Sequence, residues 1–274
     1  MFDILKQHQF LIKRSKCSFA TQSVEYLGHV ILVQGVSTDP SKVQAIQQWP
    51  SPTNIKQLRG FFSLTGYYRK FIRNYGMITK PHTNLLRKNN RFLWTPNVEE
   101  AFQLLKRCLV AAPMLVVPDF SQQFVVKTDA SDNGIRAMLM QHNHLVAYLS
   151  KPLGPRNKAL SVYEKECLAI LLAIEKWRAY LQHQHFIIKT DHRSLQYLTD
   201  QRVSSKLQLK ALIKLMDLRY TIQYKKGTSN AAADSLSRYD WSQELNAISE
   251  CVPTWIQKLK EGFEDDSAAK GLLT

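Results

Sequence analysis

Apolar and polar positions change period along the chain, and that change divides it. Residues 11–19 and 24–32 carry the short, β-prone apolar runs of strands, with polar residues 20–23 as a turn between them. Gly35 is expected to break this pattern, and residues 1–9 have the look of the end of a helix. From Asp39-Pro40 the period lengthens to three and four. Pro40 suits the first turn of a helix carrying Val43, Ile46 and Trp49. The run Trp49-Pro50-Ser51-Pro52-Thr53 is a stiff break, after which Thr53 or Asn54 can cap a second helix. Its apolar positions, Ile55, Leu58, Phe61, Phe62 and Leu64, continue in the same period through Tyr67, Tyr68, Phe71, Ile72 and Tyr75. A further helix is expected over 96–110 on Val98, Phe102, Leu105 and Leu109, with a β-prone run at 114–117.

Beyond residue 120 the order is strand (124–128), strand (135–141), strand (145–150), long helix (161–181) and strand (186–190). Two helices (194–199 and 205–218), a strand (220–224) and a last helix (230–237) complete it. Three strands in a meander, then helices alternating with strands, predict a five-stranded mixed sheet packed by helices, an α/β layer architecture. The helix over 161–181 has a capping box, Ser161-Val162-Tyr163-Glu164, and an apolar stripe of Tyr163, Cys167, Ile170, Ile174, Trp177 and Leu181.

Composition adds a direction. The 274 residues are 45% hydrophobic and 22% charged, as in a folded soluble chain, and no apolar run reaches the length of a membrane span. Residues 1–15 are too polar for a secretory signal. Lys+Arg 37 against Asp+Glu 22 gives a net charge of +15, which favours polyanions, nucleic acid first. Cys17, Cys108, Cys167 and Cys251 are scattered without metal-ligand or disulfide spacing, so a reducing compartment, cytoplasm or nucleus, is expected. Arg69 and Lys70 stand among the aromatics of the second helix, a mixture that suits a nucleic-acid backbone, although this spacing favours burial of the rings. Lys206, Lys210 and Lys214 form an i, i+4 stripe that serves equally as a solvated face or as a row of phosphate contacts.

Four acids occupy unusual positions. The strand at 124–128 runs into Asp129 and the strand at 186–190 into Asp191, so adjacent parallel strands would bring both carboxylates out at one sheet edge. Glu166 lies one turn into the long helix, on the flank of its buried stripe, whereas Glu164 is accounted for as the cap. Asp234 follows three alanines at the start of the last helix, where small side chains allow close approach and a helix N-terminus tolerates an acid. Asp132 lies in Ser131-Asp132-Asn133-Gly134 and is expected to be a turn residue. Carboxylates gathered without cations raise one another's pKa values, and the chemistry that rewards such a cluster is a pair of hard divalent ions on a phosphodiester.

The segments VEYLGHVI, GVSTDPSKVQAIQQWPSPTNIKQLRGFFSLTGYYRKFI and FLWTPNVEEAFQLLK resemble gypsy-type long-terminal-repeat retrotransposon Pol polyproteins just after the polymerase active site. TDASDNGI, YEKECLAI, KTDHRSL and SNAAADSLSR resemble the ribonuclease H domain of the same family. The resemblance implies a remnant of the polymerase palm (1–34), a thumb and connection (35–119), a ribonuclease H-like domain (120–238) and a linker toward an integrase (239–274). It implies Asp129, Glu166, Asp191 and Asp234 as catalytic metal ligands, two Mg²⁺ ions with Mn²⁺ as a substitute, and an RNA–DNA hybrid as substrate. Polymerase palm and fingers and the integrase of the same polyprotein are the implied partners. The family's Tyr-x-Asp-Asp hairpin is absent, so polymerisation is not expected of this chain. Arg136 replaces the family's small residue, and Lys225-Lys226-Gly227 stands where many such enzymes carry a histidine. Those departures give the alternative expectation of an inactive, basic, nucleic-acid-binding remnant. A third expectation is that the chain supplies a thumb to a polymerase in trans.

Overall fold

The structure is a computed structural model and describes residues 2–11, 13, 17, 21–88, 90–198 and 205–225. A helical first half is packed against a five-stranded sheet.

The first half opens with α1 (Phe2–Gln7). A three-stranded antiparallel sheet follows, β1 (Ser23–Tyr26), β2 (His29–Leu32) and β3 (Gly35–Thr38), in that order. This corrects the expected strand over 24–32. Leu27 and Gly28 both take positive φ, 48° and 73°, and turn that run into a hairpin. Gly35 likewise starts a strand instead of ending one. Its neighbour Val36 exchanges backbone bonds of 2.7 and 2.9 Å with Leu115, a partner some eighty residues away that no local pattern displays. The described residues within 11–19 carry no strand.

Helix α2 (Pro40–Gln47) is capped by the Asp39 carboxylate, and α3 (Ile55–Tyr67) by Asn54, which accepts from the Gln57 amide. The aromatic run after α3 does not continue it. The Tyr67 and Tyr68 hydroxyls donate to the Leu27 and Gly28 carbonyls, pinning the helix end to the hairpin. A 3-10 turn (Arg69–Phe71) follows, then left-handed Asn74, α4 (Tyr75–Ile78) and α5 (Lys80–Leu85). Helix α6 (Pro96–Val110) closes the half. Its core gathers Ile46, Phe61, Tyr68, Phe71, Phe102 and Leu105.

The second half is built on β4 (Val125–Ala130), β5 (Gly134–Gln141), β6 (His144–Pro152), β7 (Phe186–Thr190) and β8 (Tyr220–Tyr224). The spatial order is β6-β5-β4-β7-β8, with β4, β5 and β6 antiparallel and β4, β7 and β8 parallel. The short α7 (Pro155–Lys158), the 3-10 turn Arg193–Tyr197 and α9 (Lys206–Leu215) connect them. Helix α8 (Val162–Leu181) begins at Ser161 with the full capping box and lays Cys167, Ile170, Ile174 and Trp177 on Val126, Leu139 and Ile188. The expected helix at 230–237 lies outside the described residues.

The halves meet along β6. The Val116 amide donates to the Leu145 carbonyl at 2.8 Å, and the Gly76 amide donates to the Ser150 hydroxyl at 2.8 Å. A Cβ on Gly76 would stand 2.7 Å from the Ser150 carbonyl oxygen, and one on Gly134 only 1.8 Å from the Met77 methyl. Both glycines are required by close approach.

Candidate active site

Two strands and one helix bring three acids together. β4 and β7 pair in parallel with Val125 opposite Ile187 and Lys127 opposite Lys189. Asp129 lies two residues past Lys127 on β4, and Asp191 two residues past Lys189, just beyond the end of β7, so both emerge at the same edge of the sheet. Val126 and Thr128 point into the core, and alternation leaves Asp129 on the other face, half-buried. Helix α8 supplies Glu166, which is only 2% exposed. Its Oε1 accepts the Ala130 amide at 2.7 Å, while Oε2 is buried with no hydrogen-bond partner among the described residues. One carboxylate oxygen from each of Asp129, Glu166 and Asp191 lies within 4.8 Å of the others.

The electrostatics follow from that crowding. Burial, then the Asp191 and Asp129 charges, push the Glu166 carboxyl up to about 8, against the pull of the Ala130 hydrogen bond. Asp191 is raised as well, by burial first and the Asp129 charge second. Such a group is kept ionised in the apo state only at a cost, and a divalent cation would remove that cost. Three hard oxygen donors, one of them a buried oxygen with nothing to accept from, fit an oxygen-seeking ion of the magnesium or manganese type.

Cations nearby are arranged unevenly. Arg136 pairs with Asp129 across β4 and β5, and its Nε lies 2.8 Å from Asp129 Oδ2. The N–H is not aligned on that oxygen as a hydrogen bond, so the contact is one of charge. Lys165, beside Glu166, is buried and reaches Asp132 Oδ1 at 2.7 Å, tying α8 to the turn after β4. Asp132 is thus the anchor of that lysine as well as a bend residue. Sequence reasoning missed Lys165, although a lysine four before Ala169 on the buried flank of α8 was the signal. It also missed Lys127, Lys189 and Lys225. The Lys127 ammonium is lowered by burial and by the charges of Lys225 and Lys189.

The remaining candidates lie apart from the acids or out of view. Lys206, Lys210 and Lys214 are exposed on α9, with Lys214 Nζ 3.7 Å from Glu175. Arg69 stands 6.0 Å over the Tyr75 ring and Lys70 5.2 Å over Phe71, so both cover aromatic faces of the first half. Asp234 lies outside the described residues, so the structure brings together three of the four acids.

The sheet order and acidic cleft define a ribonuclease H-like domain, and residues 94–188 match the family of RNase H-like domains found in reverse transcriptase. The match runs from α6 to β7 and takes in Asp129 and Glu166. The chain is 37% identical over 240 residues to the retrovirus-related Pol polyprotein from transposon 297 of Drosophila melanogaster, covering 87% of this chain and 23% of that protein. It is 35% identical over 243 residues to the transposon Tf2-3 polyprotein of Schizosaccharomyces pombe, covering 85% of this chain and 18% of that one. The chain is similar to these retrotransposon Pol polyproteins and spans under a quarter of their length. Among solved structures, the foamy viral protease-reverse transcriptase dRH in complex with double-stranded DNA superposes with a TM-score of 0.74 at 23% identity. That superposition covers 82% of this chain and 41% of the viral one. The foamy viral enzyme in complex with an RNA/DNA hybrid gives 0.69 at 21% identity, covering 87% and 32%. These two likenesses show the fold.

Proposed function

We propose that the chain carries a metal-dependent ribonuclease H that hydrolyses the RNA strand of RNA–DNA hybrids, as one segment of a retrotransposon Pol polyprotein. The observation that carries this is the convergence of Asp129, Glu166 and Asp191 on one point, with one Glu166 oxygen buried and unpartnered among the described residues. A bound pair of Mg²⁺ or Mn²⁺ ions would supply an activated water and stabilise the departing 3′ oxygen of the scissile phosphodiester. Asp129, at the centre of the sheet, is the residue placed to serve both ion positions. Glu166 is held by the Ala130 amide, and Asp191 completes the group of carboxylate oxygens around one point. The resemblance assigns Asp234 as the fourth ligand. Lys127 and Lys189, on the same strands and face as the two aspartates, suit neighbouring strand phosphates, as do the α9 lysines.

The test is a labelled RNA–DNA hybrid incubated with Mg²⁺ or Mn²⁺ beside Asp129→Asn. Cleavage by the parent at least about a thousandfold above the variant is expected, since a shared ligand of the reacting centre is removed. Equal cleavage, or none by either protein, refutes the nuclease reading. The contact of Arg136 with Asp129 favours a second reading, an inactive hybrid-binding remnant. Salt-sensitive hybrid binding by the parent without metal-dependent cleavage would select it.

A further inference from the structure

The acid cluster already holds one positive charge, and its placement is particular. Arg136 sits on β5 in direct register with Asp129, so the strand pairing itself delivers the guanidinium to the carboxylate. Nε stands 2.8 Å from Oδ2, yet the N–H is not directed at it. Both side chains keep an opening to solvent, 35% exposed for Arg136 and 46% for Asp129. Nε itself is buried, but a poorly aligned contact between two partly exposed side chains is one that another cation can replace. Glu166, whose carboxylate belongs to the same cluster, is 2% exposed, and its Oε2 is buried without a partner among the described residues.

We propose that Arg136 is a resident counter-ion that competes with the divalent cation for Asp129 and sets the metal concentration at which the cleft fills. The inference rests on reading the cluster as a divalent-ion site. The competition is relieved by displacing the side chain. Before an ion enters, Arg136 shields Asp129 from its acidic neighbours. Once it enters, the arginine must swing outward, and the lost ion pair subtracts from the metal's affinity.

The experiment titrates Mn²⁺ alone into the full chain by calorimetry and records melting with and without Mn²⁺. Parent, Arg136→Gln, Arg136→Lys and Arg136→Gln/Asp129→Asn are compared, with Arg136→Met replacing Gln if that variant does not fold. The neutral variant is expected to bind Mn²⁺ about tenfold more tightly than the parent, equivalent to about 1.4 kcal/mol. Arg136→Lys, which keeps the charge, should bind within about threefold of the parent, and Asp129→Asn should erase the gain. Without metal the neutral variant should melt below the parent, and Mn²⁺ should raise its melting temperature more. Equal Mn²⁺ affinity of parent and neutral variant, a gain that survives Asp129→Asn, or no Mn²⁺ binding by any of them overturns the proposal. A merely structural arginine would lower the melting temperature and leave the affinity unchanged. Hybrid cleavage is followed in parallel: tight Mn²⁺ binding by Arg136→Gln with no cleavage refutes the nuclease reading and leaves the competition standing.

Discussion

His82 shows how strongly a single position can bind stability to pH. It is fully buried, with ring centroids 5.7 Å from Phe62, 5.7 Å from Trp94 and 6.3 Å from Phe102. Burial lowers its pKa to about 4. Between that value and the ordinary 6.5, the unfolded chain takes up a proton that the folded chain refuses. The neutral ring's contribution is therefore complete above about pH 6.5 and is lost as pH falls toward 4, by up to about 3 kcal/mol. Melting temperatures recorded from pH 7 to 4 should fall more steeply for the parent than for His82→Phe. Parallel curves would show that the ring does not titrate in this way. At the same scale Arg136 was visible in the sequence as a departure from a family pattern, but not what it does. Whether a cation on a strand turns outward or onto its cross-strand neighbour depends on register, and register is a property of two strands.

Elements whose ends are written locally were legible. Helix α6 starts at Pro96 and α8 at Ser161 because a proline and a capping box act within one turn, and β8 was found from its β-branched and aromatic residues. The expectation failed wherever a distant segment decided. Strand β3 exists because Leu115 pairs with Val36, and α3 stops at Tyr67 because two tyrosine hydroxyls reach the β1–β2 turn. The helical period continues past that point in the sequence, since the aromatics are buried either way. For the site, two strands each ending Thr-Asp made the pairing of Asp129 and Asp191 readable. The depth of Glu166 followed from Ile170, whereas the Lys165–Asp132 tie needed the packed turn. Gly134 belongs to this scale, as the first residue of β5 beneath Met77. Gly134→Ala should cost about 1–3 kcal/mol by overpacking, read as a lower denaturation midpoint, with the β5 end that carries Arg136 displaced. An unchanged midpoint would mean that Met77 moves aside freely.

At the scale of the whole molecule, the net charge of +15 gives a general attraction for polyanions, and the acidic cleft is the exception within it. The two halves are not beads on a string. β6 is the outermost strand of the large sheet: the Val116 amide bonds its Leu145 carbonyl, the Gly76 amide bonds its Ser150 hydroxyl, and its Leu145 packs against the helical core. A fragment trimmed to residues 120–274 would keep every described acid and shed that cover. It would free the Leu145 carbonyl and uncover the outer side of a nine-residue edge strand, and a second molecule offers the most accessible substitute for what was removed. Such a fragment should elute from a sizing column as self-associated species at concentrations where the full chain does not. A fragment that runs as a monomer would show that β6 shields itself. Where self-association does appear, the helical half acts as a chaperone in cis, denying the ribonuclease H-like fold a sticky seam through which copies of it could zip together.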